Sequence, residues 1–384
     1  MMRGDPLVIV SAKKVLFGLV AMCIGPAALF VIGELTMIGL RASEGFRALP
    51  VTAADPAFRF EPNRTWSFSR YWDLSLRNRV HTNNRGFISN IDYDPASSRP
   101  LVAFIGDSFV EAVMVPWAES VQGRLHNELG DSVRFYSFGS SGSPLSQYLA
   151  YAEYARDTFQ PERMVFLIIG NDYDESLLHR KDDPGHHYFR IEDDGSVELT
   201  RVDFDRSPIR LLASKSRFLR YLVESYHETT IKVGIATTDI RYVGGTFDNV
   251  EPDRVNDSKI AVDAFLARLP EASGLARSQI LIAVDGIRRE LYDPAALERV
   301  SDSYVALMRR YMIENAEQAG FEVIDMQPIF IEDYKRRGER FEFPTDAHWN
   351  GNGHGVFAQV VKESRTIGPF LRNGGEGGRV AQGY

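Results

Sequence analysis

The feature that most constrains this chain is a series of short, mostly apolar runs that stop at turns led by glycine or aspartate. Leu101–Ile105 stops at Gly106-Asp107-Ser108, and residues 133–138 stop at Gly139-Ser140-Ser141-Gly142. Met164–Ile169 stops at Gly170-Asn171-Asp172, Ile280–Val284 stops at Asp285-Gly286, and Phe321–Ile324 makes a fifth run. Such runs lack the alternation of a half-exposed strand and fit strands buried on both faces, as in parallel sheets. Helical spacing separates them. Val121, Leu125 and Leu129 share one face, and Gly130 supplies a stop. Asp293-Pro294 reads as a cap followed by proline at the first helical position. It opens one helix with Leu297, Val300, Tyr304, Leu307 and Tyr311 on its apolar side, ending at Gly320. The expected fold class is α/β, a doubly wound, mainly parallel five-stranded sheet.

That domain is expected over residues 99–372, with an insertion at about 180–275. In the insertion, Tyr188–Ile191 and Val197–Leu199 flank Asp193-Asp194-Gly195, a hairpin signal, and a helix is expected over Leu211–Tyr226. Residues 41–98, with Trp66, Trp72 and Asn83-Asn84-Arg85-Gly86-Phe87, look irregular and read as a stalk that packs on the domain without chemistry. The Gly-rich tail, 373–384, is expected to be disordered.

Behind a short N-terminal tail, 1–14, Val15–Gly33 is apolar without a charge, and apolar character resumes to Leu40 after Glu34. At about 1.5 Å per residue this length crosses a hydrocarbon core of about 30 Å. The run is long for a cleaved signal, no clean A-x-A site follows it, and Met22 precedes Cys23 where a lipoprotein signal carries a small residue. Residues 15–40 are therefore expected to be a single-pass transmembrane anchor. Arg3, Lys13 and Lys14 precede it, and Arg41, Arg47 and Arg59 follow. The adjacent Lys13-Lys14, with the free amine, favours an inside N-terminus and a periplasmic or otherwise extracytoplasmic domain. The net charge of −8 comes without a dense basic stripe, which argues against a nucleic-acid partner. With Cys23 as its one cysteine, the chain has no intrachain disulfide and no zinc ribbon.

In open parallel sheets ligands bind beyond the carboxyl ends of the strands, so the three glycine-bearing turns after the first three runs gather along one edge. Ser108 stands between a buried strand and a helix, as a nucleophile or as an ordinary helix cap. A base is available in Phe343–Asn350: His348 can take the Ser108 proton, and Asp346 can hold the imidazole. The same Asp-x-His can also be a metal pair, but His179, His186 and His187 offer no matching ligand spacing. No metal and no cofactor is expected. Oxyanion donors are present in the Ser108 amide, the Gly142 amide and the Asn171 side chain. Taken alone, Gly142 fits a tight turn and Asn171 an Asx-turn.

In this order the residues resemble the SGNH (GDSL-type) hydrolase superfamily: Ser108 in Gly-Asp-Ser, then Gly142, then Gly170-Asn171-Asp172, then Asp346 and His348. The resemblance runs from about Leu101 to Ala358 apart from the insertion, and it implies the flavodoxin-like fold of that superfamily. The common last block is Asp-x-x-His, whereas Asp346-Ala347-His348-Trp349 is similar to members related to alginate O-acetyltransferases. In similar proteins an anchor with a long N-terminal segment accompanies envelope carbohydrate modification, and the resemblance implies that setting. The resemblance implies a serine esterase acting on an acyl ester, with a carbohydrate as a candidate substrate. An O-acyltransferase with the same site and a non-catalytic glycan-binding or assembly module are the alternatives. A nucleotide-binding flavodoxin-like protein is disfavoured, because Asp107 puts a carboxylate where an anion loop would need amides and basic partners. The acyl group, the acceptor and any protein partner are not specified by the sequence.

Overall fold

The computed structural model describes residues 12–207, 214–226 and 240–373. Residues 374–384 of the expected tail 373–384, residues 1–11 of the N-terminal tail 1–14, and residues 211–213 of the helix expected over Leu211–Tyr226 lie outside them. The five runs form one parallel sheet from β3 (Leu101–Gly106), β4 (Arg134–Gly139), β5 (Arg163–Ile168), β10 (Ile280–Val284) and β11 (Glu322–Asp325). The order is β11-β10-β5-β3-β4. Ala103 registers with Tyr136 on one side and Met164 on the other. Each strand alternates its residues between two cores. On one face Ala103, Ile105, Phe166 and Ile282 meet α4 (Leu145–Phe159) and the helices Pro252–Ser273 and Tyr304–Gln318. On the other, Val102, Phe104, Val165 and Leu281 meet α3 (Val121–Leu129) and the helices Met326–Arg337 and Gly351–Glu363. Each such buried Leu, Ile, Val or Phe contributes about 1.5–3 kcal/mol relative to exposure, so the sheet centre is the mechanical base of the molecule.

Three local expectations need correction. The helix opened by Asp293 stops at Arg299, and a second begins at Tyr304. Ser303 offers a competing cap, since its hydroxyl accepts from the Ala306 amide, and the chain takes it. The insertion ends before residue 252 rather than at about 275, because Ala261, Val262, Phe265 and Leu269 of Pro252–Ser273 belong to the sheet core. Residues 41–98 are not irregular throughout. They hold an antiparallel hairpin, β1 (Arg64–Arg70) and β2 (Leu76–Thr82), that buries Trp66, Leu76 and Val80. Asn78 Nδ2 ties it to the domain by donating to Val113 O at 2.8 Å and Val115 O at 2.6 Å.

The insertion contains the expected hairpin, β6 (His187–Ile191) with β7 (Val197–Arg201), and a small second one, β8 (Tyr242–Val243) with β9 (Thr246–Phe247). Residues 217–226 are helical. At the N-terminus, α1 (Ala12–Gly39) carries Met22–Gly39, long and apolar enough to cross a membrane, with mean hydropathy 1.7 and none of it buried.

Candidate active site

The strand order is that of flavodoxin-like sheets, in which the order of winding reverses between the first and third strands of the sheet. Here those are β3 and β5. The Ser108 turn follows β3 and Asn171 follows β5, so both stand at the crevice the reversal opens. The turn is tight. α2 (Ser108–Glu111) starts at Ser108, and its cap is Asp107, whose carboxylate accepts from the Phe109 amide at 2.9 Å. Asp107 therefore does the capping that a bland reading assigns to Ser108, and the Ser108 hydroxyl is left for other work. Burial pushes the Asp107 carboxyl up to about 6, against the Phe109 amide and the His348 charge.

Ser108 Oγ stands 2.8 Å from His348 Nε2 and 3.3 Å from Asp107 Oδ2. On its far side, His348 Nδ1 meets Asp346 Oδ1, which also accepts from the His348 amide at 2.8 Å. With Nδ1–H donated to the carboxylate, Nε2 holds the lone pair that faces the serine. The shorter Asp-x-His spacing thus still lets the acid reach the ring. Asp346 is 3 % exposed, and its other oxygen accepts from Tyr71 OH at 2.8 Å and pairs with Arg70 at 3.1 Å. Burial alone would raise this carboxyl. The His348 hydrogen bond and charge, with Arg70, hold it well below the usual carboxylate range.

The histidine loop is held by its neighbours. The His348 ring stacks on Phe109 at 4.8 Å, and the Arg288 guanidinium lies 4.5 Å from the Phe109 ring centre. Arg288 Nε donates to Ala347 O at 2.8 Å, and its guanidinium is ion-paired with Asp285. Buried Trp349 donates Nε1–H to Asp285 Oδ1 at 3.1 Å, and Asn350 caps Gly351–Glu363. None of Arg70, Tyr71, Phe109 or Arg288 is singled out by sequence reasoning. Only Asp285 leaves a signal, as the acid closing the fourth apolar run.

The expected oxyanion donors stand at the same sheet edge. Gly142 has φ +79, a left-handed conformation that favours glycine, and its carbonyl accepts from Lys181 Nζ at 2.9 Å. Lys181 also pairs with Glu175 at 2.5 Å. Among the described residues, neither the Ser108 amide, nor the Gly142 amide, nor the Asn171 side chain has a hydrogen-bond partner. At this turn the side chain that closes back on the backbone is that of Asp172, which accepts from the Ile169 amide at 2.7 Å and Tyr148 OH at 2.8 Å. Among the described residues, no hydrogen bond links Gly142 or Asn171 to the Ser108–His348 pair. The three histidines of the insertion weighed as ligands have partners of their own. His179 pairs with Asp257, His187 Nδ1 meets Gln147 Oε1 at 3.0 Å, and His186 stacks on Phe58. Burial lowers His186 and His187 to about 4.

No family model matches the sequence, and no curated protein matches it. Among solved structures, the chain is similar to a two-domain esterase (CEX) active on acetylated mannans, at 11 % identity and TM-score 0.36. That match covers 72 % of this chain and 50 % of the esterase, so the chain spans half that protein's length. An acetyl xylan esterase, AlAXEase, matches at 11 % identity and TM-score 0.37, over 67 % of this chain and 96 % of that one. A lipase/acylhydrolase from Enterococcus faecalis matches at 9 % identity and TM-score 0.38, over 71 % and 96 %. Likeness at this level assigns no role to any residue of the site.

Proposed function

We propose that the chain is a serine esterase of SGNH type that cleaves ester-linked acyl groups through an acyl-serine. The supporting observation is the continuous contact Ser108 Oγ–His348 Nε2, His348 Nδ1–Asp346 Oδ1. His348 takes the Ser108 proton as Oγ attacks the ester carbonyl. The Ser108 and Gly142 amides and the Asn171 side chain receive the oxyanion, and their lack of internal partners suits that role. His348 then gives its proton to the departing alkoxide. Water, deprotonated by the same histidine, attacks the acyl-serine; the acyl–Oγ bond breaks, Oγ takes the proton back from His348, and the acid is released. Asp346, held ionised by its four donors, stabilises the imidazolium at both stages.

An envelope carbohydrate bearing acyl groups is the substrate class we favour, with α1 as the anchor and the domain outside the cytoplasm. The O-acyltransferase reading differs only in the acceptor: a sugar hydroxyl takes the place of water. Purified protein given an acyl ester, with and without a glycan acceptor, separates the two. The expected outcome is hydrolysis that falls at least about 10³-fold in Ser108→Ala. Glycan acylation above that hydrolysis would assign a transferase, and undiminished activity in Ser108→Ala would contradict both readings.

A further inference from the structure

One helix of the insertion is fastened to the apolar N-terminal helix rather than to the sheet. The Phe218 ring meets Phe30 edge-on, with centroids 6.1 Å apart, and covers Gly33 so closely that a Cβ there would stand 2.8 Å from it. Glu34 closes the contact. Its carboxylate accepts from the Ser216 hydroxyl at 2.7 Å and from the Arg217 and Phe218 amides at 3.0 and 3.1 Å. An acid inside an apolar span is costly unless its charge is held. Here it caps a helix N-terminus, where backbone amides and the helix dipole favour it.

Past that cap, the helix over 217–226 carries an apolar stripe that is largely exposed. Leu219, Leu222 and Val223 follow i, i+3, i+4 spacing and are 40 %, 46 % and 66 % exposed. Its charges are turned to the protein or to each other: Arg217 pairs with Glu44 at 3.1 Å and Arg220 with Glu224 at 2.7 Å. Trp72, 72 % exposed, adjoins the helix, for Tyr221 OH donates to Trp72 O at 2.7 Å. Tryptophan beside such a stripe suits the headgroup level of a bilayer.

We propose, on the reading of α1 as a membrane span, that the helix over 217–226 lies in the membrane interface beside it. Leu219, Leu222 and Val223 enter the acyl boundary, and Trp72 sits among the headgroups. The position of Glu34 sets the depth, since its cap fixes the start of the second helix against the last turns of α1. The catalytic acid is coupled to this contact. Tyr71, next to Trp72, donates to Asp346 at 2.8 Å and so ties the proposed active site to this segment.

The full chain tests this with Cys23 replaced by alanine and one nitroxide label at a time. Val223→Cys is the test position, Ile24→Cys the lipid reference and Asp193→Cys, at the β6–β7 turn, the aqueous one. The probe is a vesicle of phosphatidylethanolamine and phosphatidylglycerol, and the readout is relaxation by oxygen against relaxation by a water-soluble nickel chelate. The expected result is that Val223 behaves as Ile24 does, relaxed more by oxygen, while Asp193 is relaxed more by nickel. Lipid-like Ile24 with water-like Val223 overturns the interfacial helix and leaves the anchor standing. Water-like behaviour at Ile24 removes the anchor reading and the interfacial helix with it.

Discussion

Asp346 receives donors from both ends of the chain. Oδ1 faces the His348 ring and amide, while Oδ2 faces Tyr71 and Arg70 from the N-terminal hairpin. Removing one donor to a buried carboxylate costs about 1.5–3 kcal/mol when the group stays charged, less when a second partner remains. Tyr71→Phe is therefore expected to lower kcat about 5- to 10-fold with KM unchanged, because it loosens the histidine without touching substrate. Asp346→Asn should cost about 10³–10⁴-fold, since an amide can hold the wrong tautomer. Steady-state kinetics on one ester checks both, and a rise in KM at constant kcat in Tyr71→Phe would contradict the positioning role. Ser108, His348 and Asp346 are legible in the sequence because their residue types are chemically matched: Ser108 opens a helix after a buried strand, and Asp346 and His348 stand two apart in the loop before Gly351–Glu363. Tyr71 and Arg70 are not: Tyr71 lies 275 positions from its partner, and nothing in Ser69-Arg70-Tyr71-Trp72 marks it off from an ordinary surface turn.

At the scale of elements, the site depends on two strands lying close behind the nucleophile turn. A Cβ at Gly139, the last residue of β4, would stand 2.9 Å from both Asp107 O and Gly106 O. Those are backbone atoms of the turn itself and cannot swing aside. Gly139→Ala is expected to destabilise the fold by about 1–3 kcal/mol, as overpacking does, and to reduce activity more than Gly338→Ala at a remote helix end. Denaturant midpoints and kcat together test this, and unchanged values for Gly139→Ala would show that the turn has slack. The sheet strands are legible because burial on both faces leaves nearly continuous apolar runs. The β1–β2 hairpin is hidden because arginine, serine and asparagine stand between its apolar positions, leaving Trp66, Phe68, Leu76 and Val80 too sparse to register. The break at residues 300–303 is hidden for another reason: one apolar stripe continues through both helices, and only the local cap at Ser303 divides them.

Across the whole molecule, buried acids gather under the site. Burial raises Glu111, on the helix that begins with Ser108, from 4.5 to about 7, although the Ser141 hydroxyl and amide both donate to it. A carboxyl raised on folding binds its proton more tightly in the native state. Its contribution is complete below about 4.5 and is lost as pH rises through about 7. Compared with Glu111→Gln, which keeps an acceptor for Ser141, the wild type should lose about 3 kcal/mol between those limits. Denaturant unfolding of both proteins across pH 4.5–7 measures it, and a constant difference would contradict the shift. The molecule as a whole brings residue 108, the turns after β4 and β5, and residues 346–348 to one edge, and the central claim is that Ser108 is the nucleophile there. The most direct measurement is covalent labelling by a fluorophosphonate, read by mass spectrometry of the peptide that carries Ser108. The adduct is expected on Ser108 in the wild type and absent in Ser108→Ala. Equal labelling of the two proteins would contradict the account.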